Sequence, residues 1–114
     1  MNKRTSALQF GRKTAQKIME RDQDCIFCQM GYCMKQYGLD TSIKDIMHIV
    51  PKSQGGLGIE QNGVLGCRYH HSLLDNGNKG LREEMMDIIE QYMRQQYPGW
   101  TREGLVYDKY RQAR

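Results

Sequence analysis

A chain of 114 residues, 39% of them hydrophobic, with two Phe and one Trp, holds enough apolar material for a single domain and not for two. Seventeen Lys and Arg against thirteen Asp and Glu leave a net charge of +4, a weak pointer to a polyanionic partner. No apolar run approaches the roughly 20 residues of a membrane span, and the opening MNKRTSALQFGRKT has no signal-peptide stretch. The expectation is a cytoplasmic protein with no membrane contact.

Taken in chain order, residues 1–22 read as a basic helix, 23–76 as a compact core and 77–114 as a second helix with a tail. Thr5 or Ser6 can cap a helix running from Thr5 to Arg21, in which Leu8, Gly11, Ala15, Ile18 and Met19 recur at helical spacing. Lys3, Arg4, Arg12, Lys13, Lys17 and Arg21 make that end basic. Cys25 to Cys33 reads as a tight turn, with Gly31 free to take a positive φ. Ile43 to Val50 is β-rich and closed by Pro51; residues 52–58 (KSQGGLG) form a glycine-rich loop, and Gly63 to Gly66 a second strand. Cys67 to Leu74 is expected to be helical, stopped by Asn76-Gly77-Asn78. A further helix from Leu81 to about Gln96 presents Leu81, Met85, Ile88, Ile89 and Tyr92 on one face, with Glu90 four residues before Arg94. Leu105, Val106, Tyr107 and Tyr110 can pack one short element of the tail. Tyr92, Met93 and Trp100 are candidates for an exposed dimer contact.

The cysteines carry the sharpest signal. Without a secretory context, disulfides are the weaker reading of four Cys. Cys25-Ile-Phe-Cys28 lets two thiolates reach one ion from a tight turn, and Cys67-Arg-Tyr-His70 repeats the spacing with His in the last place. Together they make a Cys3His set suited to tetrahedral structural Zn²⁺. A redox CxxC is the alternative, but no βαβ pattern surrounds it. Cys33 is left over, either as a small buried residue or as a substitute for His70 in the metal shell. The three His of the chain are His48, His70 and His71; with His70 on zinc, His71 is free and shares a helix face with Asp75, so that the two could chelate a second metal.

These residues resemble the HNH endonuclease family, from about Lys13 to Asp75, in the small zinc-containing form found in phage and prophage genomes. The matching strings are KTAQKIMERDQDCIFC, His48-Ile-Val-Pro with its glycine-rich loop, and Asn62-Gly-Val-Leu-Gly-Cys67-Arg-Tyr-His70-His71. The resemblance implies an α+β fold: a small ββα-metal core stapled by the Cys3His site, with an N-terminal and a C-terminal helix packed around it. It implies His48 as general base, Asn62 as the residue that fixes the loop behind it, and His71 with Asp75 as ligands of a catalytic divalent cation (Mg²⁺ or Mn²⁺, or Ni²⁺). Family members carry Asp or His just before the base, where this chain has Met47, a soft thioether and a poor ligand for a hard cation. Asp45 lies on the same strand face roughly 7 Å away, so a local bulge would be needed for it to replace the ligand.

The function implied is metal-dependent hydrolysis of DNA phosphodiesters, as an endonuclease or nickase. Lys44, Lys52 and Arg68 are candidate contacts to the DNA backbone, and no residue argues for base readout. Met47 keeps a second reading open: an HNH-fold binding module, catalytically weak or inactive, that grips DNA or a protein partner such as a host defence protein. A purely structural zinc domain is the third.

Overall fold

A computed structural model describes residues 7–32 and 39–107. Lys3, Arg4, the Thr5 or Ser6 cap, Cys33 and Tyr110 lie outside the described residues. The molecule is a small α+β fold. Helix α1 spans Arg12–Asp22, α2 Ile26–Gln29 and α3 Leu39–Ser42. Strands β1 (Lys44–His48) and β2 (Gly63–Cys67) follow, then α4 (Arg68–Asp75) and α5 (Arg82–Gln96).

The first helix is shorter than the periodicity predicts. The chain leaves the helical path after Leu8 and restarts at Arg12, with Gly11 as an extended N-cap (φ −72°, ψ 167°). Docking explains the break. The Gly58 N–H donates to the Ala7 carbonyl at 2.8 Å, and a β-carbon at Gly58 would come within 2.1 Å of the Gln9 carbonyl oxygen. Residues 7–10 are therefore a strap laid on the glycine-rich loop, with Leu8 buried beneath it.

The two strands pair antiparallel, with Asp45 opposite Gly66, Met47 opposite Val64 and His48 opposite Gly63. Arg68 N–H to Ile43 O and Ile49 N–H to Asn62 O, both 2.9 Å, extend the ladder at its two ends. A lone hairpin is marginal in water, and this one is covered by helices. Helix α4 packs on both strands, and α1 and α2 on β2; β2 is buried along its whole length. Its outer edge is satisfied by α1. Asp22 Oδ2 accepts from Leu65 N–H at 2.9 Å, while Arg21 donates to the carbonyls of Gly63 at 2.7 Å and Glu60 at 2.8 Å. Arg21 also grips the Asp22 carboxylate, which accepts the Tyr92 hydroxyl from α5. This network closes what would otherwise be an open strand edge, and it removes Arg21 from the basic surface expected of the N-terminal helix.

The buried face of α5 is wider than the one predicted: Met85, Ile88, Ile89 and Tyr92 meet the core as expected, and Met86 and Met93 join them. Met85, Met86, Ile89 and Met93 are buried, whereas Leu81 is 48% exposed. Met93 and Trp100, expected at an exposed contact, belong to the core, and Tyr92 packs against it; the Trp100 indole donates to Gln61 O at 2.7 Å. The strand expected over 43–50 stops at His48, because Val50 turns away to bond the Asn62 side chain. The tail does form a short element: Val106 bridges Gly56, and Leu57 N–H and Tyr107 N–H bond Leu105 O and Gly55 O.

Replacing Asp22 with Ala strips the partner from the half-buried Arg21 and orphans the Leu65 N–H. The expected cost is about 3 kcal/mol, read as a lower urea midpoint with an unchanged m-value.

Candidate metal centre and active-site cavity

Two helix starts are brought face to face. Cys25 is the N-cap of α2, its Sγ accepting from Cys28 N–H at 3.5 Å. Cys67 is the N-cap of α4, its Sγ accepting from His70 N–H at 3.4 Å. The same i to i+3 geometry at both starts aims four ligand atoms at one point. Cys25, Cys28, Cys67 and His70 offer donors that all lie within 4.8 Å of one another, so the group could hold a metal ion. His70 Nδ1 stands 3.5, 3.6 and 3.2 Å from the sulfurs of Cys25, Cys28 and Cys67, and the Cys28 and Cys67 sulfurs are 3.7 Å apart. A tetrahedron with sulfur ~2.3 Å and nitrogen ~2.0–2.1 Å from its centre has edges of about 3.8 and 3.6 Å, so the donor set fits.

The other ring nitrogen, His70 Nε2, lies 2.7 Å from the Tyr32 carbonyl. A carbonyl only accepts, so Nε2 carries the proton and the Nδ1 lone pair faces the thiols. Burial, with the neighbouring Cys25 and Cys67, pushes the Cys28 thiol up to about 12. Three thiolates cannot share this space without a cation.

Asn62 is fully buried and ties the loop to the strand end. Its side-chain oxygen accepts from Val50 N–H at 2.8 Å; its amide donates to Val50 O at 3.1 Å and Leu57 O at 2.8 Å. Every hydrogen-bonding group on that side chain is used on backbone, which holds the chain on either side of the turn that follows His48.

His48 ends β1. By strand alternation it belongs to the face covered by the 7–10 strap and α1, while Asp45 and Met47 belong to the face covered by α4. The Phe10 ring lies 4.2 Å from the imidazole, and Nε2 is 2.9 Å from the Leu8 carbonyl. The acceptor-only carbonyl makes Nε2 the protonated nitrogen and leaves Nδ1 as the basic atom. Burial holds His48 below the ordinary histidine value, with Lys52 adding to the shift and the Leu8 carbonyl opposing it.

His71 lies on α4 between two carboxylates. Its Nδ1 is 3.5 Å from Asp45 Oδ2 and its Nε2 is 3.4 Å from Asp75 Oδ2. The strand pairing at Asp45 is regular, so no bulge is needed to bring Asp45 to His71. Met47 is buried, against Gly66: a β-carbon there would come within 2.7 Å of its sulfur. His48, His71, Asp75, Lys52 and Arg82 line one cavity of about 230 Å³, Met47 forming part of its wall. A second hollow of about 330 Å³ beside it is lined by Asp45, Arg68, His71 and Asp75.

The candidate DNA contacts separate. Lys52 lines the cavity and Arg68 the outer hollow. Lys44 Nζ donates to Thr41 O at 2.8 Å and pairs with Asp24 at 3.3 Å, which directs it toward the chain itself. Arg82, overlooked in the sequence because it opens the acidic start of α5, lines the cavity and donates to Leu74 O at 3.3 Å. The Leu8 carbonyl is backbone and gave no sequence signal. Among the described residues no helix is long and apolar enough to cross a membrane. No protein-family model, curated protein or solved structure matches the chain.

Titrating the metal-free protein with Co²⁺ is expected to give the visible bands of a tetrahedral thiolate–imidazole site, saturating at one ion per chain. Cys67→Ser should abolish saturation at that stoichiometry, and a chelator should unfold the native protein, read by circular dichroism.

Proposed function

We propose that the protein is a metal-dependent DNA endonuclease or nickase of the HNH type, built on a zinc-stapled core. One observation carries this reading: His48, the His71–Asp75 pair and two cationic residues, Lys52 and Arg82, line a single cavity at the end of a β-hairpin followed by a helix. The Cys3His group suits zinc, whose shell would be saturated by protein and would contribute to folding, on the order of 10 kcal/mol at neutral pH, rather than to chemistry.

Phosphodiester hydrolysis requires a base for water, a counter-charge for the phosphate and help for the leaving oxygen. His48 is neutral at physiological pH because burial lowers its pKa, and its Nδ1 can take the proton from water while the Leu8 carbonyl holds Nε2–H. Lys52 and Arg82 can bind non-bridging oxygens within the cavity, and Arg68 a neighbouring phosphate. A divalent cation held by His71 and Asp75 would supply Lewis acidity at the phosphate and leaving oxygens. The donors suit it: one imidazole nitrogen, an exposed carboxylate and room for water. All the cationic contacts are to the backbone, so binding should fall with salt and discriminate little among sequences.

Met47 favours a second reading. The position before His48 carries a buried thioether that packs the core, and the hard-donor shell is thin. A module that binds DNA, or a protein partner, without cutting would tolerate such a shell.

The test is supercoiled-plasmid nicking with Mg²⁺, Mn²⁺ or Ni²⁺, against EDTA. His48→Ala should lower the rate about 10²–10⁴-fold. Equal cutting by wild type and His48→Ala sinks the nuclease reading; salt-dependent duplex binding with no cutting in any cation supports the binding module. The neutral fraction of His48 grows as pH rises, so a lowered pKa places the acid limb of kcat/KM below the ordinary histidine value near 6.5. Phe10→Ala, which exposes the ring, should move that limb up toward it.

A further inference from the structure

We infer that Asp45 is a positioning residue for the cation site and not one of its ligands: it holds His71 by Nδ1, so that Nε2, beside Asp75, is the ligating atom. This rests on the proposed reading of His71 and Asp75 as a divalent-cation pair and names the role of each atom within it. The two nitrogens of an imidazole sit on divergent edges of the ring, and one ion cannot take both lone pairs. Asp45 and Asp75 face opposite nitrogens, at 3.5 and 3.4 Å. An ion bound to His71 can therefore share the ring with only one of the two carboxylates.

Position decides which. Asp75 and His71 line the cavity that contains His48 and Lys52; Asp45 lines only the outer hollow. A cation on Nε2, beside Asp75, adjoins the cavity that His48 also lines, whereas one on Nδ1, beside Asp45, lies next to a carboxylate that does not border that cavity. Exposure agrees. The Asp75 side chain is 67% exposed and Asp45 37%. A hard cation keeps several waters and favours the open carboxylate. The more enclosed one, on a strand in regular register opposite Gly66, suits a fixed acceptor for the Nδ1–H. Such outer partners set ring orientation and tautomer, and losing one typically weakens metal binding 10–100-fold.

Mn²⁺ affinity of the zinc-loaded protein, read from the paramagnetic resonance of the free ion, tests this independently of cutting. Asp75→Asn and His71→Ala should abolish binding in the accessible range. Asp45→Ala should weaken it about 10–100-fold, and Asp45→Asn, which still offers an acceptor oxygen, by no more than about threefold. Long-range ¹H–¹⁵N spectra of the Mg²⁺-loaded protein should report His71 protonated at Nδ1. Equal damage from Asp45→Asn and Asp75→Asn, or a proton on Nε2, overturns the assignment even if the protein nicks DNA. The expected pattern in a protein that never nicks supports the assignment and sinks the nuclease reading. Failure of the folded wild type to bind Mn²⁺ overturns both.

Discussion

The convergence of Cys25, Cys28, Cys67 and His70 on one point is the constraint from which the rest of the molecule takes its geometry. It joins the turn after α1 to the junction of β2 and α4. Because Cys67 both ends the strand and caps the helix, the first turn of α4 has a set origin and direction. His70 is turned inward to the thiols, and its free edge is used by the Tyr32 carbonyl. The next residue is about 100° further round the helix. That rotation carries His71 off the ligand cluster and onto the face that meets Asp45. One residue of helix thus separates a buried group suited to a soft ion from an exposed pair suited to a hard one.

The cavity itself is assembled by polar groups that act on backbone. Asn62 spends its amide on Val50 and Leu57, and Leu8 offers its carbonyl to His48. Both positions are held by close glycine contacts: an added β-carbon at Gly56 would reach 1.7 Å from the Val50 carbonyl oxygen, and one at Gly63 would meet Ile18 and Phe10. Close approach at these glycines, to backbone at Gly56 and to side chains at Gly63, accompanies an imidazole held by the Leu8 carbonyl and the Phe10 ring.

The net charge of +4 does not describe the surface near the cavity. Arg21 is consumed by Asp22 and two carbonyls, Lys44 by Asp24 and Thr41, and Arg94 by Glu90. Lys52 and Arg68 have no ion pair among the described residues, and with Arg82 they border the two hollows. These three cations stand beside His48 and His71, while Arg12, Lys13 and Lys79 are exposed elsewhere on the described surface. Met47 marks a compromise in the same place. Its side chain fills the space over Gly66 and stabilises the hairpin, at the cost of a hard donor beside His48.

The i to i+3 spacing of the two knuckles, the strand-loop-strand pattern between them and the bounds of α4 and α5 were legible in the residues alone, because each rests on local periodicity and on turn formers such as Asn76 and Gly77. The His71–Asp75 pairing was legible for the same reason, being one helical turn. What only the tertiary structure decided are contacts between segments far apart in sequence. The Thr5–Arg21 periodicity did not reveal that the chain breaks at Gly11, because the competing stabilisation comes from Gly58 and His48. The face of α5 also buries Met86 and Met93, which its spacing did not single out, while Tyr92 on the predicted face reaches Asp22 of α1. Asp45 reached His71 through the packing of α4 on the hairpin, and Arg82, at the start of α5, reached the cavity beside the Leu74 carbonyl of α4. Local propensity is written residue by residue; which nitrogen of an imidazole meets which carboxylate depends on how whole elements dock, and no short stretch of the chain encodes that.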